Sequence, residues 1–148
     1  MKFKFTMPIK GPYVRVEEAS DEAFANKQLG DGFLLNPEEG KVYAPFTGEV
    51  NVLFPGGHAI GLKDMKGVEM LIHIGLDTVK LKGEGFTPHV EQGANIRKGD
   101  LLLEFDMDTI HKNGYATDTP VIFPGKTSVE TVKIKERPER DVLKVKLD

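Results

Sequence analysis

Two histidines hold most of the chemistry this chain could do. His58 lies in Gly57-His58-Ala59-Ile60-Gly61-Leu62, and His73 in His73-Ile74-Gly75-Leu76-Asp77-Thr78-Val79. Both runs are apolar and strand-like, a poor setting for a charged ring. A neutral imidazole suits them better, with one nitrogen as a fixed donor and the other keeping a lone pair for an incoming group. Either histidine alone reads as an ordinary structural residue; two converging on one hairpin face read as a site. Gly57, Gly61 and Gly75 leave room for backbone, or another molecule, to come close. Asp77, four residues after His73, could orient an imidazole, ligate a metal or attract a basic partner. Asp31, between two glycines, is most simply a turn residue. His89 follows Pro88 in a loop and His111 sits on a short polar segment, so both are read as ordinary.

The elements that must position these rings follow from apolar periodicity. Val50, Val52 and Phe54 alternate with Glu49 and Asn51. Met70, Ile72 and Ile74 alternate with Glu69, Leu71 and His73. Leu101, Leu103 and Phe105 alternate with Leu102, Glu104 and Asp106, and Leu143, Val145 and Leu147 with Lys144 and Lys146. Period two means strands. If Met70, Ile72 and Ile74 face the core, His73 faces outward beside Leu71. His58, Ile60 and Leu62 would share one face, and a turn at Asp64-Met65-Lys66-Gly67 would pair the two strands and bring His58 near His73. Helical patches are few. Ser20 through Gly30 has a capping serine, acids in its first turn and a closing glycine, and Asp106 through Gly114 suggests a second short helix. Gly40–Val50 and Gly93–Leu102 are loosely alike, a hint of internal duplication. Short strands between glycine and proline turns point to an all-β sandwich or barrel.

Composition narrows the function classes. The chain has 148 residues, 16 glycines, 9 prolines and no cysteine. That suits one domain spanning residues 1–148 and excludes disulfides, zinc–thiolate sites and a cysteine nucleophile. The formal charge of −3, with the signs interspersed, argues against a nucleic-acid surface. No apolar run approaches the roughly 20 residues that span a bilayer, and Pro8, Lys10 and Gly11 interrupt any signal-peptide core. A cytoplasmic protein is expected.

Five ordered blocks carry a specific likeness: Gly30-Asp31-Gly32-Phe33, Ala44-Pro45-Phe46-Thr47-Gly48, His58-Ala59-Ile60-Gly61-Leu62, His73-Ile74-Gly75-Leu76-Asp77-Thr78-Val79 and Leu81-Lys82-Gly83-Glu84-Gly85-Phe86. Through them the chain, from about Gly11 to Val132, resembles the glucose-family enzyme IIA proteins of the bacterial phosphoenolpyruvate-dependent sugar phosphotransferase system. The resemblance implies a β-sandwich or barrel of the duplicated-hybrid-motif kind. It implies that His73 is phosphorylated, that His58 supports the transfer, and that the Gly75 carbonyl fixes the His73 tautomer. The donor would be the histidine-containing phosphocarrier protein and the recipient a cysteine of a IIB domain of a sugar permease. No cofactor would be required, although the two histidines and a partner's carboxylate could hold zinc at a regulatory interface. Regulatory target proteins are a further expectation, and the protein itself should be a monomer. Gly56 departs from the family, where a threonine often stands and orients a ring. Leu71 departs too, where some relatives carry phenylalanine.

Phe33, Phe46, Phe54 and Leu71 are expected to form an apolar docking patch around the histidines, flanked by Asp31 and Asp77 as charges for an arginine of the phosphocarrier. The competing reading is a lysostaphin-like zinc peptidase, since His73-x-x-x-Asp77 has that ligand spacing. The downstream His-x-His pair such enzymes need is missing.

Overall fold

A computed structural model describes residues 1–148. It contains thirteen strands. The first seven are β1 (Lys2–Thr6), β2 (Tyr13–Arg15), β3 (Gly30–Leu35), β4 (Lys41–Tyr43), β5 (Gly48–Leu53), β6 (Ala59–Asp64) and β7 (Glu69–His73). The others are β8 (Phe86–Pro88), β9 (Asn95–Ile96), β10 (Leu101–Phe105), β11 (Thr119–Pro124), β12 (Val129–Lys135) and β13 (Val142–Leu147). The two helices are α1 (Glu22–Ala25) and α2 (Met107–Lys112). No helix is long and apolar enough to cross a membrane.

Alternation does what the sequence predicts in the central hairpin. β6 and β7 pair antiparallel, with Ala59 opposite His73 and Lys63 opposite Glu69. Ile60, Leu62, Met70, Ile72 and Ile74 are fully buried. This hairpin lies inside a seven-stranded sheet of order β2-β3-β11-β7-β6-β5-β9. Two three-stranded sheets, β4-β10-β8 and β1-β13-β12, complete the sandwich. Phe3 and Phe5 of β1 meet Phe123 of β11 edge-on, at centroid distances of 6.1 and 5.6 Å. The two glycine-framed segments that look alike in sequence face one another: β4 pairs with β10 and β5 with β9.

Three local expectations are corrected. Leu102 and Leu103 are both fully buried, because a register irregularity between Leu101 and Leu103 breaks the alternation in β10. The first helix does not run from Ser20 to Gly30; it is one turn, Glu22–Ala25, capped by Asp21, whose side chain accepts from the Ala23 amide. Asp31 does not make a turn. It lies on β3 and is 1 % exposed.

The Asp31 carboxylate accepts the Arg15 guanidinium on both oxygens at 2.7 Å, and the amides of Gly32 and Val129 at 2.8 Å. Arg15 also donates to the Val129 carbonyl at 2.6 Å. One buried carboxylate thus ties β2 and β3 to β12, and the large sheet to a small one. Buried and paired with Arg15, this carboxylate presents no free charge to a partner. Phe33 and Phe46 are likewise core rather than docking surface. Phe33 packs on Phe5 and Tyr13, and Phe46 on Phe3.

Asp31→Asn should therefore destabilise the fold by about 2–4 kcal/mol, because it leaves amide and guanidinium donors facing an NH₂ group. Asp77→Asn, at an exposed position, should change stability by less than about 0.5 kcal/mol. Urea unfolding of both variants measures this; a fully stable Asp31→Asn protein would contradict the structural role.

Candidate functional site

Both histidines sit at one end of the β6–β7 hairpin. His73 is the last residue of β7. His58 precedes β6, in the turn that leaves β5. Strict alternation would put His58 on the core face with Ile60 and Leu62, away from His73. It escapes because the strand has not yet begun at residue 58. The Ile74 amide donates to the His58 carbonyl at 2.8 Å, and the two rings meet edge to face, 5.3 Å between centroids and 76° between planes.

Further aromatic rings lie beside the pair. Phe54 packs edge-on to His58 at 5.7 Å, and Phe24 lies 5.1 Å from His73. Phe24 comes from α1, which sequence patterning does not connect to the site. The capping Asp21, which in sequence marks only the start of a helix, acts electrostatically on His73. The signal is present in the capped apolar turn, but nothing in it says which strand the turn covers. Leu71 is partly exposed on the same strand as His73 and packs with the apolar group that includes Phe24, Leu34 and Leu76. Val79, 55 % exposed, lies just beyond. Phe54 and Leu71 are therefore at the site, while Asp31, Phe33 and Phe46 are not part of its surface.

The His73 ring is held from one side. Its Nδ1 lies 2.8 Å from the Gly75 carbonyl. A carbonyl only accepts, so Nδ1 carries the proton and Nε2 keeps its lone pair. Nε2 makes no hydrogen bond and is not sealed from solvent. Gly75 is suited to this duty by its backbone, with φ at +75°. Any Cβ there would come within 2.7 Å of the Ala116 carbonyl and 2.5 Å of the Thr78 methyl. The buried Thr78 hydroxyl donates back to the Ile74 carbonyl, and the Leu76 amide to Ala116, which pins the turn.

The His58 turn is held by the Lys80–Phe86 run. Gly56 and Gly83 stack backbone on backbone, so closely that a Cβ on Gly83 would stand 3.2 Å from the Gly56 Cα. Gly57 abuts Pro88 and Phe86. Gly56 has φ of +89°, so a threonine here would be strained and close against Gly83. The Pro55 backbone, rather than a threonine hydroxyl, acts on the His58 ring.

Electrostatics favour neutral rings. Burial pushes the His73 pKa below its ordinary 6.5, against the opposing pull of the Gly75 carbonyl, Asp21 and Asp77. Burial also lowers His58, helped by the neighbouring His73 and opposed by the Pro55 backbone. Asp77 is exposed and left-handed, φ +62°, at the start of the 3-10 turn Thr78–Leu81. No cluster of three or more His, Asp or Glu ligands is present, so the two imidazoles fall short of the three protein ligands a catalytic zinc requires. His89 pairs with Glu104 at 2.9 Å and His111 approaches Thr117 at 3.3 Å, both away from this pair. The grooves lined by Lys2 and Lys144, by Glu49 and Lys63, by Thr87 and Glu104, by Tyr13 and Leu34, and by Thr47 and Arg97 include neither histidine.

A solvent-accessible neutral Nε2 beside a second imidazole can act as a nucleophile in group transfer. Residues 3–129 match the family described as phosphoenolpyruvate-dependent sugar phosphotransferase system, EIIA 1. Among solved structures, glucose permease IIA from Mycoplasma capricolum superimposes with a TM-score of 0.87 at 37 % identity, over 98 % of this chain and 96 % of that one. The zinc-peptidase reading is not favoured. The chain belongs to the EIIA 1 family of the sugar phosphotransferase system, phosphocarriers that accept a phosphoryl group from the histidine-containing phosphocarrier protein and pass it to a IIB domain.

Proposed function

We propose that His73 Nε2 is the atom that carries the phosphoryl group. The supporting observation is the Nδ1–H···O=C bond to Gly75, which leaves the Nε2 lone pair free. That lone pair attacks phosphorus in line as the nitrogen–phosphorus bond of the donor phosphohistidine breaks, and the donor imidazole departs with the bonding pair. In the second half the thiolate of a IIB cysteine attacks the same phosphorus, and the His73 nitrogen leaves. The protein's part is positioning and charge stabilisation. His58 lies where its ring can donate to a phosphoryl oxygen during transfer. No cofactor takes part, and a single copy of the chain supplies the whole site, which suits a monomer.

Phe54 and Leu71 form the apolar rim on which donor and recipient dock in turn, with Phe24 packed beneath it against His73 and Asp77 as the exposed charge for a basic partner residue. A IIB domain from a glucose-type permease is the first recipient to test, given the similarity to a glucose permease IIA. The cysteine-free sequence and this place in the relay support a cytoplasmic protein that meets the membrane only through the permease. Regulatory targets would use the same face, in a manner sensitive to phosphorylation, and a carboxylate from such a partner could complete a zinc site with His58 and His73.

Phosphoenolpyruvate, enzyme I and the phosphocarrier should add one acid-labile phosphoryl group to the chain, and none to His73→Ala. His58→Gln should still accept it but deliver it to IIB about 10²–10³ times more slowly, the usual effect of losing one transition-state donor. Equal loss of acceptance and delivery would reassign the two rings.

Both imidazoles should titrate below pH 6.5 by NMR. The unfolded chain then takes up protons near 6.5 that the folded protein refuses. The stability contribution is thus complete above 6.5 and lost as pH falls towards the folded values. Melting temperature should fall between pH 7 and 5 more in the native protein than in a His58→Gln/His73→Gln variant. A midpoint above 6.5 for either ring would overturn this.

The free protein should bind zinc weakly, two ligands short of a tetrahedron. Phosphorylation of His73 should abolish even that, by occupying Nε2. Calorimetric titration before and after phosphorylation checks both statements.

A further inference from the structure

The net charge of −3 conceals a strongly basic face. Lys2 and Lys4 of β1, Lys144 and Lys146 of β13, and Lys133 and Lys135 of β12 are all exposed. The strand register sets Lys2 opposite Lys146, Lys4 opposite Lys144, and Lys133 opposite Lys144. Residues directly opposite on an antiparallel pair point to the same side. One row across three strands is therefore lysine throughout, Lys4-Lys144-Lys133, with a lysine pair on one side and Lys135 on the other. Lys66, from the β6–β7 turn, completes the rim of the shallow groove there, about 400 Å³ in volume.

Nothing in the fold neutralises this face. None of the seven lysines has a carboxylate within 4.0 Å. The register places one acid on it, Glu130, opposite Lys146. Like charges directly opposite on a sheet are destabilising, so the arrangement costs stability in the isolated protein. It lies at the far end of the β6–β7 hairpin from the histidines, five residues and about 17 Å along the strands. It can be occupied while the phosphoryl site is in use.

The chemistry of the face selects its occupant. It has no arginine fork, no ring of convergent backbone amides and no helix N-terminus, the devices that hold one discrete phosphate. The charges are instead spread over three strands as separate ammonium points. Val132, in the register irregularity of the edge strand β12, is 48 % exposed beside Lys133. Four to eight lysines spread over one flat sheet face match an anionic bilayer, whose headgroups form a sheet of charge. We infer that the outer face of the β1-β13-β12 sheet docks on anionic lipid, holding the phosphocarrier at the membrane with its histidines turned away from the bilayer.

The test is vesicle flotation with the full chain, using phosphatidylcholine alone or mixed with phosphatidylglycerol, at low and high salt. The protein should float with the anionic vesicles only, and salt should release it. Lys4→Gln/Lys133→Gln/Lys144→Gln should weaken flotation by about 100-fold, from the loss of three membrane-facing charges. Its phosphorylation by the phosphocarrier should be unchanged, because these lysines are remote from His73. Its melting temperature should stay level or rise, because a repulsive row has been removed, and this shows that the variant is folded. Equal binding to both vesicle types, no binding to either, or unchanged binding by the triple variant would overturn the assignment. So would soluble inorganic pyrophosphate or duplex DNA binding more tightly than the anionic vesicles.

Discussion

The bond from His73 Nδ1 to the Gly75 carbonyl is the constraint on which the site depends. It holds the ring in place and assigns its tautomer with one contact. Two effects compete over the charge of that ring. The carbonyl, Asp21 and Asp77 all favour a proton; burial opposes it and is the larger. The balance leaves a neutral ring with Nε2 bare at neutral pH, which is what a nitrogen nucleophile needs. The carbonyl can be aimed this way because residue 75 takes a positive φ and the following turn is pinned by Thr78 and by Ala116. The β7 strand, the turn after it and the segment carrying Ala116 thus converge on one hydrogen bond.

The second ring is placed by a different device. His58 is brought beside His73 because β6 begins only at Ala59, so that strand alternation does not set its direction. Its turn then rests on the Gly83 loop, where two glycines allow the backbones to touch. This explains why residue 56 is a glycine. Close stacking and a left-handed residue 56 go together, and a β-branched side chain fits neither. The Pro55 backbone partly offsets the effect of burial on the His58 ring. A shallow site on the surface also suits a molecule that must present one group to two proteins in succession. A deep cavity would shelter Nε2 from both.

Much of this is legible in the sequence. Alternation locates the β6–β7 hairpin and its buried face, and the motif blocks locate both histidines and Gly75. The failures have physical causes. Asp31 looks like a turn residue because glycines flank it, yet those glycines let β3 lie flush against β11. Its partner Arg15 is distant in sequence and carries no local sign of the pairing. Phe33 and Phe46 stand in the motif blocks, but membership of a motif does not separate a residue that supports a site from one that touches a ligand. Phe24 escapes notice for the converse reason: α1 reaches His73 only through tertiary packing. The lysine rows are visible as i, i+2 pairs in three separate strands. Summed over the chain they vanish into a small net charge, and only the register brings them to one face.

These cases share a rule about where function can lie. Asp31 accepts from a guanidinium and two backbone amides, and its valences are spent on holding two sheets together. Neither His58 nor His73 is so saturated: each ring has a backbone contact and an aromatic neighbour, and His73 keeps one nitrogen with no protein partner. The lysines of the β1-β13-β12 face have almost no partners at all. A polar group whose bonding capacity is filled within the fold contributes to stability, and replacing it damages the fold first. A group left partly unfilled contributes little to stability or opposes it, and a fold keeps it at that disadvantage for something outside the chain. By that measure this chain has two outward-facing regions, the imidazole pair and the lysine face. They lie at opposite ends of one hairpin, so an encounter at either leaves the other open.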